Sequence, residues 1–181
     1  MATAPIAPRH GWWRRNALAL AGVAVLLPAT FGIIGWNEWN EYFSSRPTQP
    51  VTAAAGASVE FEGATWGPAK VETAPRGAEL EVPDGSRVLM VSVPVEPGGD
   101  KVTCLPPTLR ETTGAEREWQ AAGFEIGWDP EPEQFGSCAG TGADPFTITA
   151  AFLVPDDTVG PFAVDLVSDV LPRFLRLLVE P

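Results

Sequence analysis

Histidine is nearly absent from this 181-residue chain, which has one, His10, close to its N-terminus. Catalysis by a Ser-His-Asp or Cys-His arrangement needs a histidine beside the nucleophile. The sequence also lacks a G-x-S-x-G nucleophile elbow and a phosphate-binding glycine loop. These absences exclude the common nucleophilic and phosphate-binding enzymes after residue 10. The sequence predicts no catalytic residue, no metal site and no cofactor.

Basic residues are also scarce in the C-terminal part of the chain. Residues 47–181 contain 8 Lys and Arg against 21 Asp and Glu, which gives a net charge of −13. Nucleic acid and anionic lipid surfaces would repel a domain with this charge. We therefore expect no nucleic-acid partner, and we interpret the acidity as a solvated surface that aids solubility.

One long segment has no charged residue at all, between Arg15 and Glu38. Its central part, residues 16–36, would form a helix about 31 Å long, which matches the hydrocarbon thickness of a bilayer. A cleaved export signal has a shorter apolar region followed by small residues. Here bulky and acidic residues follow, from Trp36 to Tyr42. The sequence therefore predicts a retained transmembrane helix at 16–36, through which the chain contacts the lipid bilayer.

The charges that flank this segment predict its orientation. Three arginines precede it and two glutamates follow it closely, and positively charged flanks stay in the cytoplasm. We therefore predict a single-pass protein of the cell membrane with a cytoplasmic N-terminus. The predicted organisation is a cytoplasmic tail (1–15), a transmembrane helix (16–36), a juxtamembrane segment and flexible stalk (37–58), and an extracytoplasmic domain (59–181).

The chain has only two cysteines, Cys104 and Cys138, and both belong to the predicted extracytoplasmic domain. An oxidising compartment and an even count favour one disulfide between them. The alternative is a metal pair, but two thiolates without a histidine in the domain make a poor zinc site.

Short apolar, β-branched segments separated by turn residues dominate the predicted domain. A hairpin is predicted over 108–121, and a short helix over 115–122 is the open alternative. The clearest single strands are 87–95, 146–154, 162–167 and 173–179. Because no long helical periodicity follows residue 58, the predicted fold is an all-β, antiparallel, immunoglobulin-like β-sandwich preceded by one transmembrane helix.

Three segments carry a resemblance to a known family: RVLMVSVPVEP (87–97), TLRETTGAEREW (108–119) and FTITAAFLVPDDTVGPFAVDL (146–166). With the basic tail, the single span and the acidic domain, they resemble the membrane-anchored immunoglobulin-like (telokin-like) extracytoplasmic proteins of high-GC Gram-positive bacteria. The resemblance covers about 59–179 at the level of pattern. It implies a fold and a location, but no established activity and no catalytic residues.

Three tryptophans of the domain, Trp66, Trp119 and Trp128, are candidate binding aromatics. We expect Trp119 to be packed in the sandwich. Trp128 lies in a loop rich in proline and acidic residues and is the best candidate for an exposed binding residue, although a packed role remains open. The acidic stretches 129–133 and 156–157 raise calcium as an alternative, but neither has EF-hand spacing.

These features lead to three functional hypotheses. In the first, a non-enzymatic domain is presented outside the membrane to bind a protein partner or the envelope. In the second, the chain is an accessory subunit of a membrane complex, with the span as its main contact. In the third, it is an enzyme or carrier that acts on cell-wall glycan or lipid.

Overall fold

The computed structural model describes residues 10–74, 80–129, 134–138 and 144–179. The chain divides into two units, Met1–Phe43 and Ser44–Pro181. The first unit contains nearly all of the helix, and the second contains the strands.

Helix α1 covers His10–Ser44 and has 35 residues, so it exceeds the predicted span 16–36 at both ends. The Asn16 amide donates to the Trp12 carbonyl at 2.9 Å, and the ring centroids of Trp39 and Phe43 lie 4.5 Å apart. No part of its most apolar stretch is buried. The helix is long and apolar enough to cross a membrane. A cleaved signal sequence near the N-terminus would meet the same criteria, so the retention of the helix in the membrane and its orientation are predictions.

The described part of the second unit forms eleven strands, from β1 to β11 in chain order. They are β1 Gln49–Ala53, β2 Val59–Phe61, β3 Ala64–Trp66, β4 Lys70–Thr73, β5 Ser86–Pro97, β6 Thr108–Glu111, β7 Glu118–Gln120, β8 Gln134–Phe135, β9 Phe146–Pro155, β10 Phe162–Leu166 and β11 Arg173–Val179. The hairpin prediction is confirmed, because β6 pairs with β7 in antiparallel register.

The strands form two sheets. The five-stranded sheet has the order β1-β11-β10-β6-β7, and the six-stranded sheet has the order β2-β3-β5-β9-β8 with β4 beside β5. Two pairs are parallel, β1 with β11 and β8 with β9. The prediction of a mainly β unit is confirmed, but the prediction of purely antiparallel sheets is wrong. The hydrophobic pattern predicts strands and not their partners, and β1 pairs with β11, the last strand along the described chain.

The predicted flexible stalk is also corrected, because β1 lies inside residues 37–58. β1 pairs with the edge of β11, places Val51 opposite Leu175, and buries Ala53 to 5% exposure. The Pro- and Ala-rich composition suggested flexibility, whereas the gain from these apolar contacts and the backbone pairing favours an ordered strand. Only residues 45–48 separate α1 from β1.

The larger hydrophobic core of the described residues lies between the sheets. Alternate side chains of β5 point into it, and Val91, Val93 and Val95 are at most 1% exposed. Trp66 is also within the core, where its Nε1 donates to the Phe61 carbonyl at 2.9 Å. A second cluster, built on Val88, covers the opposite face of the six-stranded sheet. β5 is therefore apolar on both faces, which is typical of a central strand.

Candidate functional site

The outer face of the five-stranded sheet carries an ion-pair network centred on Asp165 of β10. Val164 and Leu166 point into the core, so alternation places Asp165 on the opposite face. Arg176 of β11 lies directly across the ladder. Its Nε donates to Oδ1 of Asp165 at 2.7 Å, and its Nη2 donates to Oδ2 at 2.6 Å. This is the bidentate geometry in which an arginine–carboxylate pair is strongest.

Arg110 of β6 extends the network to the edge of the sheet. Its Nε lies 3.5 Å from Oδ2 of Asp165, and its Nη2 pairs with Glu118, which lies directly across the ladder on β7. Asp165 is 7% exposed, so its charge depends on these arginines for compensation. The hydrogen bond between Arg176 and Asp165 also favours the charged guanidinium, and it raises the pKa of Arg176 above its ordinary value.

A groove of about 500 Å³ lies along this network. Pro47, Thr48 and Pro50 line it beside the side chains of the ion pairs. Phe174 also lines it, is 6% exposed, and lies 5.2 Å from the Arg176 guanidinium, measured to the ring centroid. The groove therefore combines guanidinium donors, a carboxylate and an aromatic ring. We call it the β1–β10 groove.

A second ion-pair cluster holds the β6–β7 turn against the connection between β9 and β10. The Arg117 guanidinium donates to both oxygens of Glu111, at 3.1 and 3.3 Å, and to Asp157 at 3.3 Å. Hydrogen bonding from Arg117 holds the pKa of the Glu111 carboxyl below its ordinary value of 4.5. Because Glu111 is 6% exposed, this cluster offers a ligand little surface, and we interpret it as structural.

The two cysteines form a disulfide, with their Cα atoms 4.9 Å apart. Neither residue lies in a strand. Cys104 precedes β6 of one sheet, and Cys138 follows β8 of the other. The bridge therefore connects two loops, and Cys138 is 1% exposed.

Trp128 is not an exposed aromatic. It is partly buried and packs on the cluster of Val88 and Ile126 that covers the six-stranded sheet. Its backbone N–H donates to the Gly123 carbonyl at 2.8 Å. The expectation for Trp119 is met, since it is partly buried and packs on the main core.

The calcium alternative gains no support among the described residues, where no group of three or more His, Cys, Asp and Glu side chains could share a metal ion. Of the two acidic stretches, residues 130–133 lie outside the described part of the chain. In the other stretch, Asp157 pairs with Arg117.

Sequence reasoning missed the residues of the groove. A usable signal exists, because Asp165 and Arg176 each interrupt an apolar strand, FAVDL and RFLRLLV. A single charge inside such a strand indicates an outward position with a partner. Their pairing could not be found, since it depends on the register of β10 against β11.

Comparison with known proteins identifies no family. No family profile matches the chain, and no curated protein matches it in sequence. One solved structure, a candidate lipoprotein named YcdA from Bacillus subtilis, superimposes with a TM-score of 0.46 and 13% identity. The match covers 68% of this chain and 38% of that protein, so the chain corresponds to well under half of its length.

Proposed function

We propose that this chain is a non-enzymatic, single-pass membrane protein that presents its β unit outside the cytoplasmic membrane to bind a partner. The observation that carries the proposal is that the chain divides into a unit with an unburied apolar helix and a second, acidic unit of strands. A helix with this exposed apolar surface would be costly in water and is stabilised in a bilayer. The arginines before the helix and the glutamates after it favour an extracytoplasmic β unit.

The β1–β10 groove is the proposed contact surface. Arg110 and Arg176 provide guanidinium groups, which bind carboxylates and carbonyl oxygens well. Glu118 has a side chain 41% exposed, so a ligand carboxylate could replace it on Arg110. Phe174 lines the groove but is only 6% exposed, so the apolar surface next to these polar groups comes mainly from the exposed Pro47 and Pro50. This combination suits an extended segment of a protein partner, which offers carbonyl oxygens and apolar side chains together.

The same proposal includes an immunoglobulin-like fold and membership of the membrane-anchored extracytoplasmic family. An immunoglobulin-like arrangement is supported by two sheets around one core, and the family of membrane-anchored proteins by the sequence pattern of β5, β6, β7, β9 and β10. The parallel pairing of β1 with β11 is a departure from an all-antiparallel sandwich.

The topology is tested by adding protease to protoplasts, which are cells without a wall but with an intact membrane. The proposal expects the β unit to be digested from outside while an N-terminal tag remains protected. Protection of the β unit, or release of the whole chain in soluble form, would contradict it.

The binding role is tested by crosslinking in cells, followed by purification of the full-length chain in mild detergent. Thr108→Tyr places a bulky ring in the groove, and Thr113→Tyr on the exposed β6–β7 turn is the matched control. We expect the partner to be lost only with Thr108→Tyr. Retention of the partner by Thr108→Tyr, together with its loss in Ala21→Asn within α1, would favour the accessory-subunit hypothesis instead.

A further inference from the structure

A tight turn between β7 and β8 holds Phe124 almost entirely in solvent. Phe124 is 95% exposed, more than any other large hydrophobic side chain among the described residues, including those of α1. Scattered exposed apolar residues are ordinary, but an aromatic ring with almost none of its surface covered is not. The folded chain gains little from this side chain where it stands.

The backbone around Phe124 is well fixed. The Ile126 N–H donates to the Ala122 carbonyl at 3.2 Å, and the Trp128 N–H closes the turn on Gly123. Before the turn, the Ala122 N–H donates to Ala151 of β9 at 2.8 Å, which ties the turn to the sheet. A Cβ at position 123 would lie 2.8 Å from the Trp128 ring, so glycine is required there. The exposed ring is thus presented by an ordered turn.

Three exposed acidic residues belong to this turn or are bonded to it through the backbone. Glu125 is the neighbour of Phe124 in sequence, and Asp129 follows Trp128; both are exposed. The backbone of Glu81, which is also exposed, is bonded to the same turn, because its N–H donates to the Ile126 carbonyl at 3.0 Å. Among the described residues, none of these three carboxylates belongs to an ion pair. Next to Glu81, Val82 adds a side chain that is 41% exposed.

We propose that Phe124 anchors a protein partner by inserting into an apolar pocket whose rim carries lysine and arginine side chains. An aromatic anchor in a partner's pocket, surrounded by complementary charges, is the arrangement that dominates many interfaces. The three carboxylates would meet the basic rim and increase the rate of association. This surface shares no residue with the β1–β10 groove, so the inference goes beyond the proposed function.

Charge favours this occupant over two others. An anionic membrane surface would be repelled by the carboxylates beside Phe124 and by the net charge of −13 on residues 47–181. A second copy of the chain has the same acidic charge and would be repelled in the same way. A basic, pocketed protein partner gains from both the ring and the charges.

The test places a photo-reactive benzoylphenylalanine at position 124 of the full-length chain, in the cells that naturally make it. Val159 is the matched control position, since it is 70% exposed in the loop between β9 and β10. After irradiation, the crosslinked residues are mapped by mass spectrometry. We expect a protein adduct from position 124 that is absent from position 159, on an apolar residue with lysine or arginine beside it. An adduct with lipid, an adduct with a second copy, or equal products at both positions would overturn the proposal.

Substitutions in the same cells give a second measurement. The yield of the identified partner after chemical crosslinking should fall at least about tenfold in Phe124→Ala, and should not change in Val159→Ala. Glu125→Lys should lower it as well, because it opposes the basic rim. An unchanged yield in Phe124→Ala would refute the anchor. A yield that falls in Phe124→Ala but not in Thr108→Tyr would support the anchor and reject the groove as the contact.

Discussion

Replacing Asp165 by asparagine tests whether the ion-pair network stabilises the β unit. The substitution keeps the size of the side chain and removes its charge. Arg176 then loses a bidentate partner, and Arg110 loses the carboxylate 3.5 Å from its Nε. Two guanidinium groups would share a face on which Glu118 is the remaining carboxylate of the network.

The expected cost follows from the burial of the three groups. Exposed ion pairs contribute about 0–1 kcal/mol, whereas removing one partner of a fully buried pair costs about 3–5 kcal/mol. The Asp165 side chain is 9% exposed, and those of Arg176 and Arg110 are 25% and 32% exposed. This intermediate burial leads us to expect a loss of about 2 kcal/mol in the free energy of unfolding.

Urea unfolding of residues 44–181 measures this loss. With a denaturant dependence of about 2 kcal/mol per molar, the midpoint should fall by about 1 M. Asp156→Asn is the control, because Asp156 is exposed, and it should change stability by less than about 0.5 kcal/mol. In a double-mutant cycle with Arg176→Met, a coupling of about 1–2 kcal/mol is expected. A loss within the control range, or additive effects, would refute the reasoning.

Three further predictions follow from the fold. The pKa of Glu111 is lowered in the folded state, so its charge stabilises the protein above the unfolded pKa, and this contribution disappears as the pH falls through the folded pKa. The difference in unfolding free energy between the protein and Glu111→Gln, measured from pH 7 to pH 3, should therefore shrink below about pH 4.5. A chain that starts at Val59 lacks β1 and should unfold at a lower temperature than one that starts at Ser44. Equal melting temperatures would show that β1 does not stabilise the unit and would support the prediction of a flexible stalk. Reducing the disulfide between Cys104 and Cys138 should lower the free energy of unfolding by about 3–4 kcal/mol in the chain-entropy model, because the disulfide closes a loop with a separation of 34 residues. Urea unfolding in reductant measures this loss, and a loss near zero would contradict the prediction.

The strands that were predicted correctly are those with strong local signals. Residues 173–179 form β11 with the predicted limits, and the prediction of 162–167 exceeds β10 by one residue. Local signals failed for β1, whose Pro- and Ala-rich composition resembles that of a linker. Its strand conformation depends on the free edge of β11, which no nearby residue reveals.

The candidate site shows the same division. The polar loop around Trp128 predicts an exposed side chain, but the cluster of Val88 and Ile126 provides an apolar surface that partly buries it. Phe124, four residues earlier, has no such surface and is exposed. Nothing in the local sequence distinguishes the two aromatics, because the difference lies in which one the turn directs towards the sheet.

The sequence alone determined the features that depend on composition and local pattern. These are the apolar helix, the acidic and mainly β unit, the β6–β7 hairpin, and the absence of histidine after residue 10. Only the tertiary structure decided the features that depend on how the strands pair and how their side chains pack. These are the parallel pairing of β1 with β11, the contact of Asp165 with Arg176, and the exposure of Phe124. The physical reason is that backbone hydrogen bonding and side-chain alternation favour a strand locally, whereas its register, its direction and the burial of its side chains are fixed by packing over the whole unit.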